Sequence, residues 1–392
     1  MKTEKHSLLL GRPVEFFSHG VEEEWGYGAP QRDSFAVIRP KNEKEGEKYP
    51  LYVVFHSAGH DLYSAIRCME TEGDHDIYHS PEDSFALVLD CRANGGDWWW
   101  GGLTPAGVAE EISDPERFGV EPRPVENRCI ATVLWTIENY AVDAERVYAV
   151  GNSMGGSGSL GIAGPRGDIF AAIKANVPAG VRHINERCVL NGERPAGFRI
   201  PDPPLIIDYS AQNDEWSGGH ELLYSGMKKR KYALIGFFGP FGHQNNNFEI
   251  AKVNDLIHSL DIGSVRLCDP YPVFTNASTD DPVPWPDNRG SDASGQVNGF
   301  FRWRNVSDEA DSFEIELRLL RPDEWESRVT FPESSVADVS VRRRQKFLLA
   351  PGEKFFWEFG ESSGEGVADE EGLPTVPRIE ITAEAKILRL RK

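Results

Sequence analysis

Gly151-Asn152-Ser153-Met154-Gly155 decides how this chain is read. The five residues spell G-x-S-x-G. Upstream, Arg146-Val147-Tyr148-Ala149-Val150 is rich in β-branched and aromatic residues and predicts a buried strand. Downstream, Gly155-Gly156-Ser157-Gly158-Ser159-Leu160-Gly161-Ile162-Ala163 is built of small residues suited to a closely packed helix. Strand, sharp turn and helix is the setting that lifts a serine hydroxyl above a sheet edge, beside the positive end of a helix. The turn strains the backbone at Ser153, and side chains in place of the flanking glycines would collide with neighbouring backbone. A glycine-rich turn without chemistry carries the same letters by chance in other chains. The strand before it and the helix after it favour a nucleophile at Ser153.

Outward from this motif, residues 1–265 alternate strand-like and helix-like segments. Leu51–Phe55, Phe85–Asp90, Ala171–Val177, Leu205–Ile207 and Tyr232–Ile235 are short, continuously apolar strand candidates. Val125–Tyr140 places Ile130, Val133, Leu134, Ile137 and Tyr140 at helical spacing, and Phe248–Leu260 has a similar pattern. Apolar strands between helices predict an α/β fold with a mainly parallel central sheet covered on both faces. Residues 266–298 are rich in proline and polar residues and predict a linker or long loop. From 299 to 392 the pattern changes to short strands: Phe300–Trp303, Ser312–Leu319, Val339–Val341, Lys346–Leu349 and Arg378–Ile381. They predict a small antiparallel accessory domain like a β-sandwich. The acidic, glycine-rich Ser362–Gly372 reads as a loop.

The chain has 392 residues, with 42 basic against 62 acidic side chains and a net charge of −20. That balance argues against nucleic acid or an anionic membrane as a partner. No stretch approaches the ~18 apolar residues of a membrane span. Lys2 and Lys5 precede only Leu8-Leu9-Leu10, too short for the apolar part of a signal peptide. The expectation is a cytoplasmic protein, or an exported one whose leader is absent from this sequence. Cys68, Cys91, Cys129, Cys188 and Cys268 include no C-x-x-C pair, so no structural zinc site is expected. Export would permit a Cys68–Cys91 bridge, but buried thiols are the favoured reading.

A serine hydroxyl needs a base to take its proton and a carboxylate to orient that base. In this architecture the order along the chain is Ser, then Asp or Glu, then His. Asp214, in Ala211-Gln212-Asn213-Asp214-Glu215, follows the Leu205–Ile207 strand and is the candidate acid. Asp208 falls inside that strand, and Glu215 is the reserve. A turn aspartate that only caps the next helix is the plainer alternative. His243 lies in the glycine-flanked loop Gly239-Pro240-Phe241-Gly242-His243-Gln244 and is the candidate base. His220 and His258 lie on expected helices. Two backbone N–H groups should hold the oxyanion. Met154 supplies one, and Ser57 or Ala58, in His56-Ser57-Ala58-Gly59-His60-Asp61, supplies the other. His56 and His60 raise a metal reading, which the lack of further ligands nearby in the sequence sets aside. His56 is expected to brace the loop.

His56-Ser57-Ala58-Gly59, Gly151-Asn152-Ser153-Met154-Gly155-Gly156, Asp214 and His243, in that order, make residues 1–265 resemble an α/β-hydrolase. The similarity is to the esterase branch that includes polyhydroxyalkanoate depolymerase-like and feruloyl or acetyl-xylan esterase-like enzymes. It covers about two thirds of the chain. It implies a Ser-His-Asp acyl-enzyme mechanism and no cofactor. The family loop usually reads His-Gly-Gly, whereas Ser57 and Ala58 stand here, which leaves the second oxyanion donor open.

Asp97-Trp98-Trp99-Trp100-Gly101-Gly102 follows an expected strand on the active-site side, and Trp216 lies two residues past Asp214. Indole faces suit sugar rings or aromatic acyl groups, and equally suit clamping a loop to a core. Trp98, Trp99, Trp100 and Trp216 are therefore candidate substrate contacts. Arg342-Arg343-Arg344 reads as a salt-bridged strand face, with binding of an acidic glycan as the alternative. The leading expectation is a serine esterase acting on small-molecule or polysaccharide esters. The competing readings are a serine peptidase and an inert carbohydrate-binding scaffold.

Overall fold

Leu51, Val53 and Phe55 face one hydrophobic core, and Tyr52 and Val54 on the same strand face another. That division follows from the two-residue period of a strand whose faces are both covered. The computed structural model describes the chain apart from residues 1, 21, 28–32, 92–98, 100–118, 245–255, 258 and 325–328. The strands are β1 (Lys2–Leu9), β2 (Arg12–Ser18), β3 (Ser34–Ile38), β4 (Tyr49–Phe55), β5 (Phe85–Leu89), β6 (Val142–Asn152), β7 (Ala172–Asn176), β8 (Leu205–Ala211), β9 (Leu234–Gly239), β10 (Tyr271–Thr275), β11 (Gly295–Val297), β12 (Phe301–Asp308), β13 (Ser312–Leu319), β14 (Ser334–Arg342), β15 (Lys354–Phe359), β16 (Ser362–Val367), β17 (Thr375–Thr382) and β18 (Lys386–Arg391). Among the described residues the α-helices are α1 (Leu62–Cys68), α2 (Pro124–Asn139), α3 (Met154–Ala163), α4 (Arg182–Arg187) and α5 (His220–Arg230).

A ten-stranded sheet runs β1-β2-β3-β5-β4-β6-β7-β8-β9-β11. The pairs from β5 through β9 are parallel, whereas β1, β2, β3 and β11 join antiparallel. Val125, Cys129 and Val133 of α2 and Leu160 and Ile162 of α3 cover one face. Leu62, Ala65 and Ile66 of α1 lie in the opposite core, which continues into the C-terminal strands through Phe313, Ile315 and Leu317. Those strands form two antiparallel sheets, β10-β14-β17 and β12-β13-β18-β15-β16. The whole is an α/β-hydrolase fold with a sandwich-like antiparallel unit at its C-terminal end.

Some local readings change. The 266–298 stretch carries β10, which pairs with β14, and β11, which extends the large sheet beside β9. Ser362–Val367, expected as a loop, is an edge strand paired with β15. Lys346–Leu349, expected as a strand, forms none, because the Asp308 carboxylate accepts the N–H groups of Gln345, Lys346 and Phe347 in place of a ladder. Most of the expected 248–260 helix lies outside the described residues. All five cysteines are unbridged, so Cys68 and Cys91 are not joined. No helix among the described residues is long and apolar enough to cross a membrane.

Candidate active site

Parallel registry gathers the site. Phe55 of β4 stands opposite Gly151 of β6, and Ala211 of β8 stands opposite Gly239 of β9. The loops that follow these strands therefore leave the sheet on the same side, the side where open α/β sheets bind ligands.

Ser153 sits at the junction of β6 and α3 with φ 56° and ψ −121°. This positive φ is the strain that the G-x-S-x-G spacing predicts. The strain is held from both sides: Ser153 N donates to the Asn176 carbonyl and Ala179 N donates to the Ser153 carbonyl, each at 2.9 Å. The glycines leave no alternative. A Cβ on Gly155 would stand 1.9 Å from the Phe55 carbonyl oxygen, and one on Gly151 would stand 2.1 Å from the Gly155 carbonyl oxygen.

The Ser153 Oγ lies 2.7 Å from His243 Nε2, and His243 Nδ1 lies 2.6 Å from Asp214 Oδ2. The Asp214 side chain is buried and that of His243 is partly open to solvent. The other oxygen of Asp214 accepts the Trp216 N–H at 2.9 Å, so the carboxylate also caps the turn after it. Asn213 ties the acid loop to the histidine loop by accepting the Gly242 N–H at 2.7 Å. Arg289, from the stretch expected as a linker, donates to the Asp214 carbonyl at 2.7 Å. A serine hydroxyl, an imidazole and a carboxylate in this order can pass a proton from the hydroxyl to the ring while the carboxylate steadies the cation.

The two candidate oxyanion donors at 57 and 58 separate. Ser57 N–H donates to the Tyr78 hydroxyl at 2.7 Å, so it is already engaged. Ser57 Oγ also lies 2.7 Å from that hydroxyl and donates to the Asn152 carbonyl at 3.0 Å, which locks the loop to the elbow. The Ala58 N–H carries no such bond among the described residues. Met154 opens α3, where N–H groups lack intrahelical acceptors. His56 is buried, with Nδ1 2.9 Å from the Ser57 carbonyl and Nε2 3.2 Å from Asp90. It braces the loop, as its place in the sequence suggested. His60 turns the other way, toward Cys68 and His75. The expectation that no further ligands lie near it therefore fails, because α1 brings Cys68 back beneath the loop.

The tryptophans divide as well. Trp99 is fully buried, a correction to its place among the substrate contacts. Its indole N–H donates to the His56 carbonyl at 3.0 Å, and its ring meets Phe55 edge-on and packs on Gly158. Trp98 and Trp100 lie outside the described residues. Trp216 is half-buried with its ring centre 6.4 Å from that of His243. The salt-bridged strand reading of the arginine run holds at Arg342, which ends β14, and not at Arg343 and Arg344, which lie beyond the strand. Arg342 pairs with Asp202 and Glu371, Arg343 reaches the carbonyls of Phe170 and Ala171, and Arg344 reaches those of Val341, Phe347 and Gly372.

Sequence reasoning did not anticipate Tyr78 or Arg289. Each acts on a loop far from it along the chain, and nothing in its local pattern marks it.

A family model described as the prolyl oligopeptidase family matches residues 127–181, which hold the elbow and most of α2. No curated protein matches the chain. Among solved structures, an S-formylglutathione hydrolase from Agrobacterium tumefaciens is similar over 62% of this chain and 93% of that one, at 15% identity and a TM-score of 0.42. An acetyl xylan esterase from Paenibacillus sp. R4 is similar over 62% of this chain and 82% of that one, at 14% identity and a TM-score of 0.43. A dipeptidyl aminopeptidase IV from Bacteroides ovatus is similar over 59% of this chain and 33% of that one, at 16% identity and a TM-score of 0.40. Likenesses this low carry no argument about chemistry. The fold and the family match over the elbow support a serine hydrolase.

Proposed function

We propose that the chain is a serine esterase that cleaves acyl esters through a covalent acyl-enzyme, with carbohydrate esters of the acetyl or feruloyl class as substrates. One observation carries the reading: Ser153 Oγ is 2.7 Å from His243 Nε2, whose other nitrogen is 2.6 Å from Asp214. Ser153 Oγ attacks the ester carbonyl as His243 takes its proton. The N–H groups of Met154 and Ala58 hold the negative oxygen. The C–O bond to the alcohol then breaks, and His243 returns the proton to that alcohol. Water, activated by the same imidazole, frees the acid and restores Ser153. The half-buried Trp216 beside His243 offers an indole face to a sugar or an aromatic acyl group.

The test is a panel of acetyl, feruloyl, short-chain alkyl and hydroxyalkanoate esters, run with wild type and Ser153→Ala. The variant should lose roughly 10³-fold or more of kcat/KM. Undiminished turnover by it would end the proposal. The match to the prolyl oligopeptidase model favours a peptidase as the second reading. Cleavage of dipeptide anilides without ester turnover would establish that instead. A chain that leaves Ser153 unlabelled by a fluorophosphonate would be an inert scaffold.

A further inference from the structure

Beneath the loop that carries Ser57 and Ala58, three side chains from separate segments converge. His60 ends the loop, Cys68 ends α1, and His75 precedes the turn Asp76–Tyr78. One donor atom from each lies within 4.8 Å of the others, and the Cys68 sulfur is 3.9 Å from His60 Nδ1. Cys68 and His75 are buried. A tetrahedral zinc ion, with ~2.3 Å to sulfur and ~2.0–2.1 Å to nitrogen, separates two such ligands by about 3.6 Å. The Cys68–His60 gap is a few tenths of an ångström wider, and the His75 donor, within 4.8 Å of both, closes on the ion by side-chain rotation. Asp74 supplies an outer support. Its carboxylate sits 2.7 Å from His75 Nδ1, the arrangement that turns a histidine's other nitrogen toward a metal. The same carboxylate lies against the Cys68 thiol.

We infer that His60, Cys68 and His75 bind one soft divalent cation of the zinc class, with water in the fourth position. Two nitrogens and one sulfur select against magnesium and calcium, which take oxygen ligands. Binding releases the Cys68 proton to solvent and forms the metal–thiolate bond. The ion would join the loop, α1 and the 71–78 turn, which are held otherwise by non-covalent contacts. It also reaches the proposed oxyanion region. The His75 ring stacks on Tyr78 at 5.1 Å between centres, and the Tyr78 hydroxyl holds Ser57. The site is a structural clasp behind the proposed catalytic machinery and takes no part in its chemistry.

The experiment is a Co²⁺ titration of the full-length, chelator-treated protein, followed by Zn²⁺ competition and metal counting after dialysis. Wild type should bind one equivalent, show a thiolate-to-cobalt charge-transfer band and lose it to Zn²⁺. Zn²⁺ should also raise its melting midpoint. Cys68→Ser should abolish the band. His60→Ala, at a partly exposed position that tolerates truncation, should weaken binding, and Asp74→Asn should weaken it ~10–100-fold. Absence of the band in wild type would overturn the inference, as would a band that survives in Cys68→Ser or an unchanged affinity in His60→Ala. These readouts are spectroscopic, so they stand whether or not Ser153 is the nucleophile.

Discussion

Asp214 has two occupations, and its replacement separates them. One oxygen caps the turn through the Trp216 N–H and the other meets His243. Asp214→Asn keeps an oxygen for the cap but presents the wrong partner to the imidazole. The expected result is a fall of about 10⁴ in kcat with the fold retained, read by ester turnover beside circular dichroism. A second buried aspartate, Asp208, serves a different end. Burial pushes its carboxyl up from 3.8 to about 7, while burial pulls His220 down from 6.5 to about 4. Ser210 lies between them, 3.0 Å from Asp208 and 2.9 Å from His220, and the Tyr224 hydroxyl donates to Asp208 at 2.9 Å. With Asp208 protonated and His220 neutral, every hydrogen bond in this chain is satisfied without a charge. The two groups act oppositely on stability. The folded state holds the Asp208 proton more tightly than the unfolded state does, so that contribution is lost as pH rises from about 4 to about 7. It holds a proton on His220 less tightly, so that contribution is lost as pH falls from about 6.5 to about 4. Asp208→Asn removes the first effect and leaves the second. Its stability should therefore fall more steeply toward acid than that of wild type between pH ~6.5 and ~4, as measured by urea unfolding. Parallel profiles would refute the assignment.

Helix α3 shows how far the geometry of an element is legible in its sequence. Glycines at 155, 156, 158 and 161 read as close packing, and each has a specific neighbour: Phe55, Asn176 and Pro178, Trp99, and His183. Gly155→Ala would force a methyl group to 1.9 Å from a backbone oxygen that cannot move without breaking the β4 end. Overpacking typically costs ~1–3 kcal/mol, and collision with backbone belongs at the upper end. The expected outcome is a lowered melting midpoint together with lost ester turnover, and a variant of wild-type stability would refute it. The same element explains what the sequence made legible. Ser153, Asp214 and His243 each follow an apolar strand in a fixed order, so strand pattern and chain order sufficed to bring them into one list. The 57–58 choice was not legible, because Tyr78, 21 residues away in sequence, decides it through one hydroxyl. The burial of Trp99 could not be read from the run 98–100, because a row of identical residues does not say whether a given one turns inward. Edge strand β16 escaped because its glycines and exposed side chains leave no apolar alternation. The missing strand at 346–349 shows the converse: Phe347 is buried, but a carboxylate holds its backbone.

At the scale of the molecule, the two parts distinguished by sequence pattern share one core. Tyr52, Val54, Tyr148 and Val150 of the large sheet belong to the same buried cluster as Val339, Ile379 and Leu388 of the C-terminal sheets. Polar clasps cross the junction as well. Asn298 Nδ2 donates to the Leu234 and Phe274 carbonyls at 2.9 and 3.2 Å. Arg343, buried, reaches the Phe170 carbonyl at 2.8 Å, and Arg342 pairs with Asp202 at 2.5 Å. Strand β9 gains its outer partner only from β11, and Arg289 secures the Asp214 loop from the same stretch. Residues 1–265 alone would therefore expose one face of the sheet, an unpaired edge and a loosened acid loop. At ~25 cal/mol per Å², every 100 Å² of apolar surface uncovered removes ~2.5 kcal/mol, against the ~5–15 kcal/mol that holds a whole domain folded. The unpaired β9 edge adds a template for aggregation. The 1–265 fragment should accordingly be aggregated, or lack cooperative unfolding and near-ultraviolet dichroism, and it should not turn over esters. A soluble fragment that melts at the wild-type midpoint with full activity would show that the C-terminal sheets are an appendage, and that the continuous core is incidental to the proposed catalytic machinery.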